Sequence, residues 1–266
     1  MATGRTVAKY VRIYAGQMGN VWQTKLCGLT RSLGPLKVSF DEIDATGMCD
    51  SIKGYLPGQA SINPGTINVI LDPRAIEADP NIFMYPPVEY ISINAFDIGE
   101  PTILQIPIGI RAAPVIGDPT FCGVFPFLGM TYADDGGLVT TNWTFGDSGS
   151  SSYLPAFPKA WGQLLHDHGA ETAANSSAGV DSGAASTNGG TMYLQIFEGG
   201  GSTTYKVQHS DTNVDGGFAD LTGASIVSSG AGGFVATVPA NTAVKRYLRW
   251  QMTAVTNTFV MSFVRG

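Results

Sequence analysis

Charge is scarce in this 266-residue chain, with 14% of residues Asp, Glu, Lys or Arg, well under the usual quarter. That excludes a disordered polyelectrolyte, which needs high charge and little apolar content. Cysteine is nearly absent: Cys27, Cys49 and Cys122 stand at wide, unrelated spacings with no CxxC. A disulfide framework is therefore not expected, and reduced thiols in a cytoplasmic assembly environment are. No stretch approaches the ~20 apolar residues of a membrane-spanning helix. The opening Met1-Ala2-Thr3-Gly4-Arg5 lacks the apolar core of a signal peptide, so the expectation is a soluble protein made inside a cell. What is abundant is glycine, 34 residues without a collagen-like period, together with Thr, Ser, Val and Ile. That composition belongs to an all-β chain with many turns.

The balance is 15 basic against 21 acidic residues, net −6, so a surface that wraps nucleic acid is not expected. The deficit is uneven. Residues 1–150 carry 14 acidic and 9 basic side chains, and 151–266 carry 7 and 6. Whatever needs negative charge lies in the first half.

Period-two alternation, the mark of half-buried strands, recurs along the chain: Val7 to Tyr14, Leu36 to Phe40, Ile67 to Leu71, Leu104 to Ile110 and Val139 to Phe145. Pro107 inside the fourth run predicts an edge strand or a bulge. After a pause the pattern resumes at Met192–Ile196, Tyr205–His209, Phe234–Val238, Leu248–Met252 and Phe259–Phe263. Helix is expected in two places. Asp72-Pro73 reads as an N-cap and N1 proline opening a short turn closed by Pro80. Pro158 to His168 places Trp161, Leu164, Leu165 and His168 on one helical face, with Gly169 ready as C′ residue. The run 169–190 has Val180 as its one large aliphatic residue and reads as a linker or surface loop. The resulting division is 1–168, a first β domain; 169–190, the linker; and 191–266, a small C-terminal β-sandwich.

A search for catalytic constellations fails. His166-Asp167-His168 has the look of a two-histidine metal element, but on the expected helix i and i+2 diverge, and no third ligand lies near. Asp211-Thr212-Asn213-Val214-Asp215-Gly216 matches half of a calcium loop, yet its twelfth position is Thr222 rather than glutamate. A hairpin connection is the better account, with a weak structural calcium site left open. Asp134-Asp135-Gly136-Gly137 reads as a turn, and Cys122 as a buried structural thiol. In Lys245-Arg246-Tyr247-Leu248-Arg249-Trp250, a strand would send Leu248 and Trp250 one way and Arg249 to a polar face. No enzyme, cofactor or metal is expected.

Residues 38–72 are more specific than composition. Glu42, Asp44 and Thr46 form an acidic E-x-D-x-T stretch after a strand; a loop follows, then Leu56-Pro57-Gly58, then the alternating run Ala60 to Leu71. This resembles the N-terminal signature of major tail tube proteins of long-tailed, siphovirus-type bacteriophages. Gly117-Asp118-Pro119-Thr120-Phe121 and the strand Leu138–Phe145 fit the same pattern, and the resemblance extends over about half the chain. It implies a mainly β fold: a tail-tube-like β-sandwich or half-barrel with one short packed helix, followed here by an immunoglobulin-like or jelly-roll β-sandwich. It also implies subunits that join into rings, most simply hexameric, by extending sheets across their boundaries, and rings that stack into a tube. Glu42, Asp44, Thr46, Leu56, Pro57 and Gly58 would then make the inter-ring or inter-subunit contact.

The function this implies is structural, a tail tube subunit whose partners are itself and other phage tail proteins. DNA passes as cargo that an acidic lumen does not hold. Its place is the phage virion, after assembly in the host bacterial cytoplasm, without membrane insertion. One departure bears on this reading: Pro80, Pro86, Pro87 and Pro101 fall where tube proteins often have their packed helix. A capsid decoration protein, or a tail-tip protein that binds host surfaces, is the alternative in a second class.

Overall fold

The computed structural model describes residues 11–19, 23–25, 30–44, 55–70, 98–109, 112–135, 138–147, 159–172, 174, 178–199, 201–253 and 256–266. For 24, 30, 31, 38–44, 55–61, 70, 132, 134, 135, 138 and 139 it describes the backbone alone. The strands are β1 (Tyr14–Gln17), β2 (Gln23–Lys25), β3 (Thr30–Leu33), β4 (Lys37–Asp44), β5 (Tyr55–Asn63), β6 (Thr66–Ile70), β7 (Pro101–Pro107), β8 (Pro119–Asp135) and β9 (Leu138–Phe145). They continue as β10 (Trp161–Glu171), β11 (Val180–Asp181), β12 (Gly190–Glu198), β13 (Thr203–Ser210), β14 (Ala219–Ser228), β15 (Gly232–Val238), β16 (Tyr247–Met252) and β17 (Asn257–Arg265). The fold is mainly β. The helical content among the described residues is a single 3-10 turn at Asp215–Gly217.

The main sheet runs β15-β12-β17-β10-β8-β7-β1-β2. Outside the bulges its strands alternate, and each side of the alternation has a different destination. Leu104 and Ile106 of β7, Phe121 and Phe125 of β8 and Ala15 of β1 point outward into a first core. The long strand β8 bends at a bulge between Phe127 and Gly129 and carries β9, β6 and β3 over that face, supplying Phe127, Trp143, Phe145, Ile67 and Val69. On the other half of the same outer face, Met192, Leu194 and Ile196 of β12 lie opposite Phe263, Met261 and Phe259 of β17. They pack on the sheet β11-β16-β13-β14 through Tyr205, Val207, Leu248, Trp250 and Met252. The molecule is thus two lobes built on one sheet.

The inner face of that sheet curls closed. β15 and β2 are at opposite ends of the strand order, yet Met18, just after β1, bridges Gly233 of β15 in parallel. The lining is Ile103, Cys122, Val124, Tyr193 and Val264, with Tyr14, Leu164 and Val260 as a second small cluster.

Three expectations are corrected here. The stretch 158–168, expected as the packed helix, is strand β10 from Trp161. β10 is held on both sides, by β17 and by β8, with register shifts between Leu164 and His166 and between His166 and Gly169. Those bulges bury Leu164, Leu165 and His166 in succession, and such phase slips mimic helical spacing in a sequence. β7 is not an edge strand, because it lies between β1 and β8. Pro107 is tolerated at the strand's end, where its carbonyl still accepts from the Arg12 amide at 3.2 Å. The strands on either side of 169–190 share a sheet: β10 hydrogen-bonds β17, and the C-terminal sandwich draws on β10 and β11, both before residue 191. The expected turn at 72–80, Cys27 and Cys49 lie outside the described residues.

Candidate functional site

The motif that carries the family resemblance folds as a hairpin, β4–β5. Glu42 lies opposite Pro57, Ile43 opposite Leu56 and Asp44 opposite Tyr55. Gly58 sits in β5 at the irregularity between the Phe40 and Glu42 registers. Thr46 lies outside the described residues. Among the described residues β4 and β5 hydrogen-bond with each other and with no further strand. This arrangement explains how a strand accommodates Pro57, since a missing backbone donor costs nothing on an edge. The base of the hairpin is tethered: Ile62 is buried in the first core, and Asn63 donates to Asp147 at 2.5 Å. The sequence-derived set Glu42, Asp44, Leu56, Pro57 and Gly58 is therefore gathered on one two-stranded element with both outer edges open among the described residues.

The free edges of the C-terminal lobe are blunted by contrast. β11 has two residues, and its Asp181 takes a bidentate pair from Arg246, at 2.8 Å to Nε and 2.6 Å to Nη2. That guanidinium holds the Asp181 carboxyl down at about 2. β14 pairs with β13 only at its ends, leaving Leu221 to Ala224 opposite Val207 alone. Gly223 makes the kink at φ +89 against Val238 and Pro239. Short, bulged edges resist pairing with another chain.

The remaining candidates resolve into structural roles. Asp211 pairs with Lys245 at 2.9 Å and Asp215 with Arg249. Asn213 is spent on Gly179, accepting from its amide at 2.7 Å. With two carboxylates neutralised by cations and the amide engaged, this loop does not present a calcium cage. His166 is buried, Nδ1 3.0 Å from the Phe259 carbonyl and Nε2 3.1 Å from Glu171, its ring stacked on Phe259 at 3.9 Å. Burial holds its pKa below the usual histidine range, against the opposing pull of Glu171. His168 faces elsewhere, stacked on Tyr14 and edge-on to Phe197. The second bulge of β10 separates two histidines that a regular strand would have put side by side. Among the described residues no group of three or more His, Cys, Asp or Glu side chains is placed to hold a metal. Asp134 and Asp135 end β8 opposite Val139 and Leu138 of β9, and residues 136–137 of the expected turn lie outside the described residues. Cys122 is buried, its thiol pushed up by desolvation.

Arg249 is a correction. It was expected on a wet sheet face, but it is 5% exposed. Its Nε donates to Gln208 at 2.9 Å, Nη1 pairs with Asp215, and the guanidinium lies 4.3 Å from the Phe218 ring centroid.

Two polar clusters were missed by sequence reasoning. On the inner face, Gln105 Nε2 donates to Gln195 at 2.9 Å, and Gln195 Nε2 donates to Gln23 at 3.1 Å, a buried ladder across β7, β12 and β2. The signal was legible as Leu104-Gln105-Ile106 and Leu194-Gln195-Ile196, an amide twice flanked by aliphatics. The second cluster joins Arg12 and Tyr14 to Asp167, the tyrosine hydroxyl donating at 2.6 Å. Nothing local in the sequence announces it, because its members are over 150 residues apart.

No protein-family model matches the chain, and no curated protein matches it. Among solved structures, similarity is found to the crystal structure of the SPP1 Dit (gp 19.1) protein, described as a paradigm of the hub adsorption apparatus in Gram-positive-infecting phages. The TM-score is 0.31 and the identity 10%, over 96% of this chain and 99% of that one. A likeness at that score carries no argument about function. No helix among the described residues is long and apolar enough to cross a membrane.

Proposed function

We propose that this chain is a structural, non-enzymatic phage tail protein, a tube subunit that self-assembles into stacked rings around a DNA conduit. The observation that carries the reading is the β4–β5 hairpin. It bears the residues of the tail tube resemblance, and among the described residues it forms a two-stranded sheet of its own. A lone two-stranded hairpin is marginal in water, and an open edge is a template for another strand. A head-to-tail contact with a second copy answers both, and repetition of that contact closes a ring. The blunted edges of β11 and β14 support the same reading, because they direct strand pairing away from the C-terminal lobe. The acidic surplus of residues 1–150 suits a lumen that repels passing phosphates. Of the carboxylates weighed as metal ligands, Asp167, Asp211 and Asp215 are engaged in ion pairs with Arg12, Lys245 and Arg249.

Negative-stain electron microscopy of the purified protein across a concentration series tests the proposal. Rings or tubes with a central hole are the expected result. Featureless small particles at every concentration would transfer the reading to a capsid decoration or tail-tip protein.

A further inference from the structure

Two sequence motifs that the tube reading leaves without a role, the half calcium loop 211–216 and the basic–aromatic stretch 245–250, fold onto each other. β13 and β14 close at the His209–Ala219 pair, and the connection between them lies back across β16 as a strap. Asp211 reaches Lys245 at 2.9 Å and Asp215 reaches Arg249. Between them Asn213 meets the backbone of Gly179 twice, accepting from its amide at 2.7 Å and donating to its carbonyl at 3.3 Å. The sheet face under and beside the strap is basic and aromatic: the Arg246 guanidinium stands 5.1 Å from the Tyr247 ring centroid, and Phe218 lies on Arg249.

The strap is held without apolar burial. Residues 211–217 are all exposed and the 3-10 turn within them buries nothing. The Asp211 and Asp215 carboxylates are 66% and 72% exposed, so water screens both ion pairs and another carboxylate replaces either at little cost. Lifting the strap returns Arg249 to water, while Leu248 and Trp250 stay packed in the core on the opposite face of the sheet. We infer that this face is a docking surface for an extended acidic segment of another polypeptide, and that residues 211–217 occupy it as a built-in competitor. The strap displays what the surface reads: carboxylates at i and i+4 set on cations, and between them a group that offers Gly179 a donor and an acceptor together. A peptide segment supplies all three. The phosphodiester backbone of a nucleic acid supplies the charge but only accepts hydrogen bonds, and a chain of net −6 opposes a dense polyanion. The contact is made by side chains on the sheet face, so it does not call on the blunted edges β11 and β14.

The test is fluorescence anisotropy at low salt with a labelled peptide of the strap sequence, Asp-Thr-Asn-Val-Asp-Gly-Gly-Phe, titrated with the full chain and with the variant Asp211→Asn/Asn213→Ala/Asp215→Asn. The native chain binds only through the fraction of molecules whose strap is lifted, which weakens its apparent affinity by that fraction. Releasing the strap is therefore expected to tighten binding about tenfold. Adding Lys245→Ala to the released variant is expected to reverse most of that gain, and Lys245→Arg to keep it. A single-stranded oligonucleotide of eight residues is expected to bind the released variant distinctly more weakly than the peptide. Equal affinity of the native and released chains would overturn the proposal, as would a gain that survives Lys245→Ala. Oligonucleotide binding as tight as the peptide's would overturn it in favour of a nucleic-acid surface. Where the triple variant does not melt cooperatively, Asn213→Ala alone, which removes two exposed hydrogen bonds and no charge, decides by the same comparison. The outcome does not depend on the tail tube reading, because it is measured on the isolated subunit.

Discussion

Arg249 shows what a single charge does when a sheet face closes over it. Its guanidinium is wedged between Gln208, Asp215 and the Phe218 ring, while Asp215 stays mostly exposed. The attraction to Asp215 is therefore screened, and the hydrogen bonds and ring packing hold the larger share. Arg249→Ala is expected to cost about 2 kcal/mol in chemical denaturation, and Asp215→Ala distinctly less. Equal losses would place the stabilisation in the ion pair instead. His166 makes a second residue-scale case. Burial lowers its folded pKa below the unfolded value of about 6.5, so the unfolded chain takes up the proton first as pH falls. Its contribution is whole above about 6.5 and is lost below that as pH drops toward the folded value. His209 adds to the same trend, lowered by burial and by Lys245. Melting temperature is expected to be flat from pH 8 to 7 and to fall below 6.5, with a shallower fall in His166→Gln.

At the scale of elements, the alternation rule was sufficient wherever a strand runs in one phase. β4, β6, β9, β12, β13, β15, β16 and β17 all sit where the apolar pattern put them. β10 was illegible for a specific reason: its two bulges put Leu164, Leu165 and His166 inside in a row, and spacing alone cannot tell such a slip from a helical face. The same blindness applies to the inner face. A sequence shows that Gln105 and Gln195 interrupt apolar runs, but not that a curled sheet brings them together across four strand positions. The hairpin residues, contiguous along the chain, were legible because local register gathers them. Gly162 separates the two descriptions of β10. In a helix interior Gly162→Ala would stabilise by about 1 kcal/mol. In the strand, a Cβ there meets the Phe263 carbonyl at 2.2 Å, a backbone atom that cannot swing aside. The expected result is a loss of about 1–3 kcal/mol, read from the midpoint of urea unfolding. On the hairpin, Pro57→Ala combined with Gly58→Val is expected to leave the monomer's circular dichroism unchanged and to abolish ring stacking in electron micrographs. Normal tubes would remove these two residues from the contact.

At the scale of the whole molecule, the question is whether residues 191–266 form an appendage or part of the frame. A small sandwich following a Gly/Ala/Ser-rich stretch suggests a removable decoration, and on that view a chain ending at 190 would still assemble. The sheet order argues otherwise. β10 borrows its partner β17 from the far side of that stretch, pairing from Gln163–Phe263 to Glu171–Asn257, and the inner face takes Tyr193, Gln195 and Val264 from the last 76 residues. Removing them would strip one whole edge from β10, expose Leu165 and Val180 from the second core, and leave Gln105 and Gln23 without Gln195. An edge of that length bearing buried-type side chains is an aggregation surface. The truncated chain is therefore expected to be insoluble or to bind hydrophobic dyes with a lost cooperative melt, and not to form rings. A soluble, cooperatively melting 1–190 fragment would show instead that the first lobe completes itself without the shared sheet, and that the C-terminal lobe is separable.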